Sequence, residues 1–161
     1  MADVFSKAKR SQVMSRIRSQ GNQDTELALA KLFRRHKITG WRRQLEIQCR
    51  RRREETHSSK PNSMRDSSPR LLRVKPDFVF PQSRLAVFVD GCFWHGCPRH
   101  GTQPKGNRAF WRNKFAQNKA RDRRVNRALR RAGWRVVRIW ECSLKRNPLN
   151  CLRRIQRVFG S

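Results

Sequence analysis

The stretch Phe88-Val89-Asp90-Gly91-Cys92-Phe93-Trp94-His95-Gly96-Cys97-Pro98-Arg99-His100 constrains this chain more than any other. Its thirteen residues hold one carboxylate, two thiols, two imidazoles and an adjacent aromatic pair, directly after the apolar run Leu85 to Val89. Metal-ligand types, an acid/base candidate and stacking side chains at this density have two readings. One is a small zinc loop in which Asp90 merely closes a strand. The other is an active site that shares a short loop with a structural metal.

Charge narrows the partner. Against 11 Asp and Glu stand 40 Lys and Arg, a formal net charge of +29. Self-repulsion on that scale opposes compaction, so a polyanion is the economical partner. Nucleic acid is the default, because each neutralised phosphate releases counterions. A membrane surface would want an amphipathic or lipidated terminus. Neither terminus carries a lipidation motif, and no apolar run approaches the roughly 20 residues of a membrane span. The start, Met-Ala-Asp-Val-Phe-Ser-Lys, lacks an apolar signal core. These features predict a cytoplasmic chain whose five cysteines are thiols or metal ligands rather than disulfides. Its 161 residues suit one domain with a real core.

Residues 7–18 read as a basic helix with a narrow apolar edge of Val13, Met14 and Ile17. It packs on the body or lies along DNA with Met14 or Ile17 as a wedge. After Gly21-Asn22, Asp24 or Thr25 is positioned to cap a helix to about His36, with Leu29 and Phe33 on its apolar face. Glu26 shares that face. It either satisfies the helix dipole or aims a carboxylate into a cleft.

Gly40 to Leu45 resembles the start of a strand, whereas residues 49–73 are rich in Arg, Ser and Pro and read as a mobile basic loop. Val74 to Phe80 is expected to be a strand with Pro76 near its start, and Leu85 to Asp90 a second strand joined to it as a hairpin. Asp77 and Asp90 therefore sit on neighbouring strands.

A long helix is expected from about Asn107 to Arg131. Its stripe is Trp111, Phe115, Asn118, Asp122, Val125 and Leu129, alternately four and three residues apart. An inward Asp122 among so many arginines calls for a specific partner, either an arginine or a histidine that it orients. Gly133 closes the helix, Trp134 to Trp140 form a strand, and Leu149 to Phe159 a last helix. This order is a mixed α/β fold with a small sheet.

Cys92, Cys97 and His100, with Cys142 at a strand end, supply the usual ligand set of a structural zinc. By residue type alone, His95 competes for the fourth place. Pro76-Asp77 followed a dozen residues later by a second acid is the arrangement hydrolytic nucleases use to hold Mg²⁺, a hard cation that takes carboxylate and carbonyl oxygens. Nucleases often place a lysine two residues after that second acid. Here Cys92 stands there, which leaves His95 as the candidate base if Cys142 completes the zinc set. Phe93, Trp94 and Trp111 are either core aromatics or intercalators.

At these residues the chain closely resembles the very short patch repair (Vsr) DNA mismatch endonucleases. The resemblance is carried by Pro76 to Val79, Phe88 to Pro98, Asn118 to Arg123, and Gly133 to Val136 continuing through Trp140-Glu141-Cys142. Arg10 to Ile17 and the Asn22 to Leu29 helix start fit as well. It implies a restriction-endonuclease-like fold, a mixed sheet flanked by helices with a structural zinc, over 1–161. Residues 1–20 would grip DNA from the minor groove. It implies Mg²⁺-dependent nicking 5′ of the thymine in a T·G mismatch, the product of 5-methylcytosine deamination. Carried over by position, Asp77 and the Val89 carbonyl bind Mg²⁺, Glu26 holds metal-bound water, His95 is the general base and Asp122 orients it. Cys92, Cys97, His100 and Cys142 bind zinc, while Phe93, Trp94 and Trp111, with Met14, insert at the mismatch.

The implied partner is double-stranded DNA, met by a monomer, alongside other mismatch-repair proteins. Some members have Thr-His where this chain has Val89-Asp90, which leaves Asp90 as a second metal ligand or an orienting group. The 49–73 insertion is foreign to the pattern. Two other readings stand beside this one: a nuclease of the same fold without mismatch preference, and a non-catalytic zinc-containing nucleic-acid binder.

Overall fold

The computed structural model describes residues 26–50, 71–100 and 107–159. The helix expected over 7–18, Met14, and residues 51–70 of the basic segment lie outside these. The order is α1 (Ala28–Arg35), β1 (Arg42–Arg43), β2 (Ile47–Arg50), β3 (Leu71–Val74), β4 (Phe78–Phe80), β5 (Leu85–Asp90), α2 (Arg108–Arg131), β6 (Arg135–Trp140), α3 (Glu141–Arg146) and α4 (Pro148–Gln156). The main sheet runs β1-β4-β5-β6. β4 and β5 are antiparallel, as the expected hairpin requires, and β5 and β6 are parallel. A parallel pair needs a long crossover, and α2 lies between the two strands in sequence.

Strand alternation divides the core into two layers. Phe78, Phe80, Leu85, Val87, Val137 and Ile139 face Leu29 and Phe33 of α1 and Leu152 and Ile155 of α4. Val79 and Ala86 face the other way, toward Leu129 of α2 and toward Ile47, Cys49 and Val74. A sheet covered on both faces reads as a nearly continuous apolar run, and Leu85 to Val87 is buried throughout. The stripe on α2 follows its forecast: all six of its residues are less exposed than the helix surface around them, and Leu129 is fully buried. Gly133, with φ +78°, supplies the left-handed turn after that helix.

Four expectations need correction. Val74 to Phe80 is not one strand. Val74 ends β3 opposite Ile47, and β4 begins only at Phe78. Pro76 has no N–H for a ladder, and the break at Lys75 to Asp77 turns Asp77 toward the end of β5. The segment 49–73 is not loop at its edges. Cys49 and Arg50 pair with Leu72 and Leu71, so the insertion emerges from a two-stranded stem. Ile47, Cys49 and Val74 are buried against α2, and Cys49, given no role by sequence, is part of that core. Cys142 lies in the first turn of α3 rather than at the strand end, and the last helix starts one residue early, at Pro148. The Asn147 side chain caps it by accepting the Asn150 N–H at 3.1 Å. Among the described residues, no helix is long and apolar enough to cross a membrane.

Candidate active site

The end of β5 carries the site. Asp77 accepts the backbone N–H of Val89 through Oδ2 at 2.7 Å, which ties the β3–β4 break to the end of β5. Burial pushes the Asp77 carboxyl up to about 7. The Val89 N–H works against that rise, while Glu26 and Asp90 add to it. Glu26 is buried just before α1, on the face shared with Leu29 and Phe33. Its Oε2 receives Arg43 at 2.9 Å and Gln44 at 3.4 Å. Glu26 thus points inward, onto the Arg43 and Gln44 side chains. Asp77 thus lies close enough to the Glu26 and Asp90 carboxylates for their charge to oppose its ionisation.

On the other side of Asp90 lies a second network. His95 Nδ1 is 2.6 Å from Asp122 Oδ2 and 3.7 Å from Asp90 Oδ1. Arg138 donates through Nε to Asp90 Oδ2 at 2.7 Å and through an NH2 group to Asp90 Oδ1 at 2.6 Å, and that group also reaches Asp122 Oδ1 at 3.1 Å. Its remaining terminal nitrogen donates to Asn126 Oδ1 at 3.2 Å, and the guanidinium lies 4.8 Å from the Phe88 ring centroid. Burial works to raise Asp122, but His95, Arg138 and Arg121 outweigh it and hold the carboxyl below its ordinary value. The two partners open in the sequence, arginine or histidine, are both present. Of the two neutral tautomers, a carboxylate on Nδ1 favours the one with its hydrogen there and Nε2 as the acceptor.

His95 stays out of the thiol cluster. The ligand atoms of Cys92, Cys97, His100 and Cys142 all lie within 4.8 Å of one another. Cys97 Sγ is 3.7 Å from Cys142 Sγ, close to the roughly 3.8 Å edge of a tetrahedron built on zinc–sulfur bonds of about 2.3 Å. Three sulfurs and one imidazole in that space fit zinc. The thiols are strongly unequal. Burial raises Cys92 to about 12, helped by Cys142 and Cys97. Burial also opposes ionisation of Cys97, yet the N–H groups of Arg99 and His100 and the side chains of His100 and Cys142 bring it down to about 6. Cys97 is thus the ready thiolate. Glu141 Oε2 accepts the Cys92 N–H at 3.4 Å, fastening the loop to α3.

The aromatics form one cluster beside the site. Phe93 meets Trp94, Trp111 and Phe115 edge-on, with centroids 5.1, 5.1 and 5.6 Å away. Phe110, 53% exposed, packs on Trp111 at 5.4 Å. Asn118 donates to the Trp94 carbonyl at 2.8 Å and so pins the loop to α2.

Every expected site residue within the described segments falls in this region, and Met14 lies outside them. Arg138 was not foreseen. Its signal was a lone cation within the apolar run Val136 to Trp140, on a strand whose parallel register sets Phe88 beside Arg138 and Asp90 beside Trp140. Asn118 stands on the stripe and opens the Asn118 to Arg123 motif, but the sequence assigns it no contact.

Residues 63–100, from before Asp77 through His100, match the family model described as DNA mismatch endonuclease Vsr. The type II nicking enzyme V.NaeI of Lentzea aerocolonigenes is 56% identical over 70 residues, 44% of this chain and 42% of that enzyme. The DNA mismatch endonuclease Vsr of Escherichia coli is 40% identical over 75 residues, 46% of this chain and 48% of that protein. These matches span about half the length of the relatives. The type II nicking enzyme V.NmeAIP of Neisseria meningitidis aligns almost end to end, 32% identical over 160 residues, 98% of this chain and 94% of the relative. With its oxygen, imidazole and thiol clusters gathered at the end of one strand of a restriction-endonuclease-like mixed sheet, and with that end-to-end relative, the chain belongs to the Vsr DNA mismatch endonuclease family.

Proposed function

We propose that the chain is a hydrolase that nicks one strand of duplex DNA 5′ of the thymine in a T·G mismatch, initiating repair of deaminated 5-methylcytosine. The observation that carries the proposal is the 2.6 Å contact between His95 Nδ1 and Asp122, which orients the ring and favours the tautomer whose acceptor is Nε2. The names of the relatives, nicking enzymes and a mismatch endonuclease, support the same reaction.

In this proposal Asp77 and the Val89 carbonyl hold Mg²⁺, and Glu26 orients water beside it. Mg²⁺ there supplies charge neutralisation at the scissile phosphate and a more acidic water. The chain's own part is proton transfer and positioning. His95 Nε2 takes a proton from the water that attacks phosphorus as one strand P–O bond breaks and its departing oxygen takes a proton from solvent, and Asp122 stabilises the imidazolium so formed. Asp90 acts as an orienting group, since Arg138 occupies both its oxygens. Zn²⁺ at Cys92, Cys97, His100 and Cys142 has a structural part, joining the loop to α3.

Phe93, Trp94 and Trp111, with Met14 from the N-terminal helix, insert beside the mismatch. A T·G wobble is cheaper to unstack than a matched pair, which is the source of selectivity. The proposal extends to one endonuclease unit acting as a monomer in a bacterial-type cytoplasm, on the nucleoid, beside other mismatch-repair proteins.

The test compares nicking of T·G, T·A and A·C duplexes with Mg²⁺. Cutting of T·G alone is expected, and equal cutting of all three would remove the mismatch specificity. Binding without any cutting would remove the enzyme.

A further inference from the structure

We infer that one flank of α2 is a phosphate-tracking surface for duplex DNA beside the cleavage site, formed by Arg108, Arg112, Lys119, Arg123, Arg127 and Arg130. This rests on the nuclease reading above. The six cations recur 4, 7, 4, 4 and 3 residues apart, so they lie on one side of the helix, and all six are exposed. Among the described residues, none has an acidic partner. Arg108 with Arg112, Lys119 with Arg123 and Arg123 with Arg127 are like-charge pairs at i,i+4, each of which destabilises an isolated helix by about 0.2–0.5 kcal/mol. A row of such pairs without a counter-charge has a polyanion as its natural complement.

Two further observations choose this flank. Val125, Ala128 and Ala132 pack toward the core layer built on Ile47 and Cys49, so that side of the helix is covered by protein. The cationic flank runs instead along the reacting groups. Lys119 Cε lies 3.1 Å from where a Cβ on Gly96 would sit, next in sequence to His95, and Asn126 on the same side bonds Arg138. From Arg108 to Arg130 the rise is about 33 Å at 1.5 Å per residue. That is about ten base pairs of duplex at about 3.4 Å each. The flank therefore begins near the aromatic cluster around Trp111, passes the loop at Gly96, and continues away from it along DNA of any sequence.

The same helix supplies the control, since Arg124 and Arg131 are also exposed and project about 100° round the helix from the centre of that row. Affinity for a labelled, fully matched duplex of about 30 base pairs is measured without divalent cation over a range of salt. The double variant Arg123→Gln/Arg127→Gln should lose two phosphate contacts and flatten the log affinity against log salt slope by about 2. Arg124→Gln/Arg131→Gln removes the same charge and should change the slope by less than about 0.5. Equal changes in the two doubles, or none in the first, would overturn the surface. Because the duplex is matched and uncut, a wild-type chain that fails to nick T·G DNA would sink the enzymatic reading and leave this comparison to decide by itself.

Discussion

Arg138 grips Asp90 with two hydrogen bonds, 2.7 Å from Nε and 2.6 Å from a terminal nitrogen, across two parallel strands. The Asp90 side chain is only 6% exposed and that of Arg138 20%, so the pair is largely withdrawn from water. The terminal nitrogen on Asp90 also reaches Asp122, which holds His95. One guanidinium thus links two carboxylates that come from the end of β5 and the middle of α2.

Removing one member of that pair should be worse than removing both. Arg138→Met leaves Asp90 buried and bare, a change that typically costs about 3–5 kcal/mol. Asp90→Asn/Arg138→Met removes the uncompensated charge and should recover a large part of the loss. Denaturant unfolding of the two single variants and the double closes the cycle. Purely additive losses would mean that the two side chains are not coupled.

Asp122→Asn should leave DNA binding near wild type and slow nicking by about 10²- to 10⁴-fold. An amide at Oδ2 no longer accepts unambiguously from Nδ1, so Nε2 loses its role as acceptor. Single-turnover nicking with saturating protein isolates that step. An unchanged rate would remove His95 as the base.

Asp77→Asn should abolish nicking while stabilising the protein when no divalent cation is added. An acid raised to about 7 in the folded state binds its proton more tightly there than when unfolded. Its charge therefore destabilises the fold progressively as pH rises from about 4 to about 7, and by a constant amount above that. The variant carries no such charge. Its stability advantage over wild type should be near zero at pH 4 and grow to at most about 4 kcal/mol at pH 8. Added Mg²⁺ should narrow the gap. A gap independent of pH would show that Asp77 titrates normally.

Cys97→Ser should remove the readiest thiolate of the cluster. Bound zinc per chain should fall well below one, with a loss of about 2 kcal/mol, or about 5 °C in Tm. Elemental analysis after gel filtration, with a thermal melt, measures both. Full zinc content would displace Cys97 from the ligand set.

Sequence by itself determined the elements whose signals are local. Leu85 to Val89 is apolar throughout because both faces of its sheet are covered, and Trp111 to Leu129 keeps one helical face over about five turns. Cys92, Cys97 and His100 announced a candidate metal loop because donor groups close in space were also close in sequence. Glu26 was legible as sharing the face of Leu29 and Phe33, though its direction was not.

Tertiary structure alone decided what depends on distant partners. His95 is separated from a competing role in the thiol cluster by a contact with Asp122, 27 residues on, that no local spacing encodes. Asp90 gains its partner only through the β5–β6 register, which brings Arg138 from 48 residues away onto both its oxygens. The break at Pro76 was read as a strand start because Val74 is as apolar as Phe78. Only pairing reveals that they belong to different sheets. Periodicity records which face a residue occupies, but the identity of the group across from it is set by packing between elements.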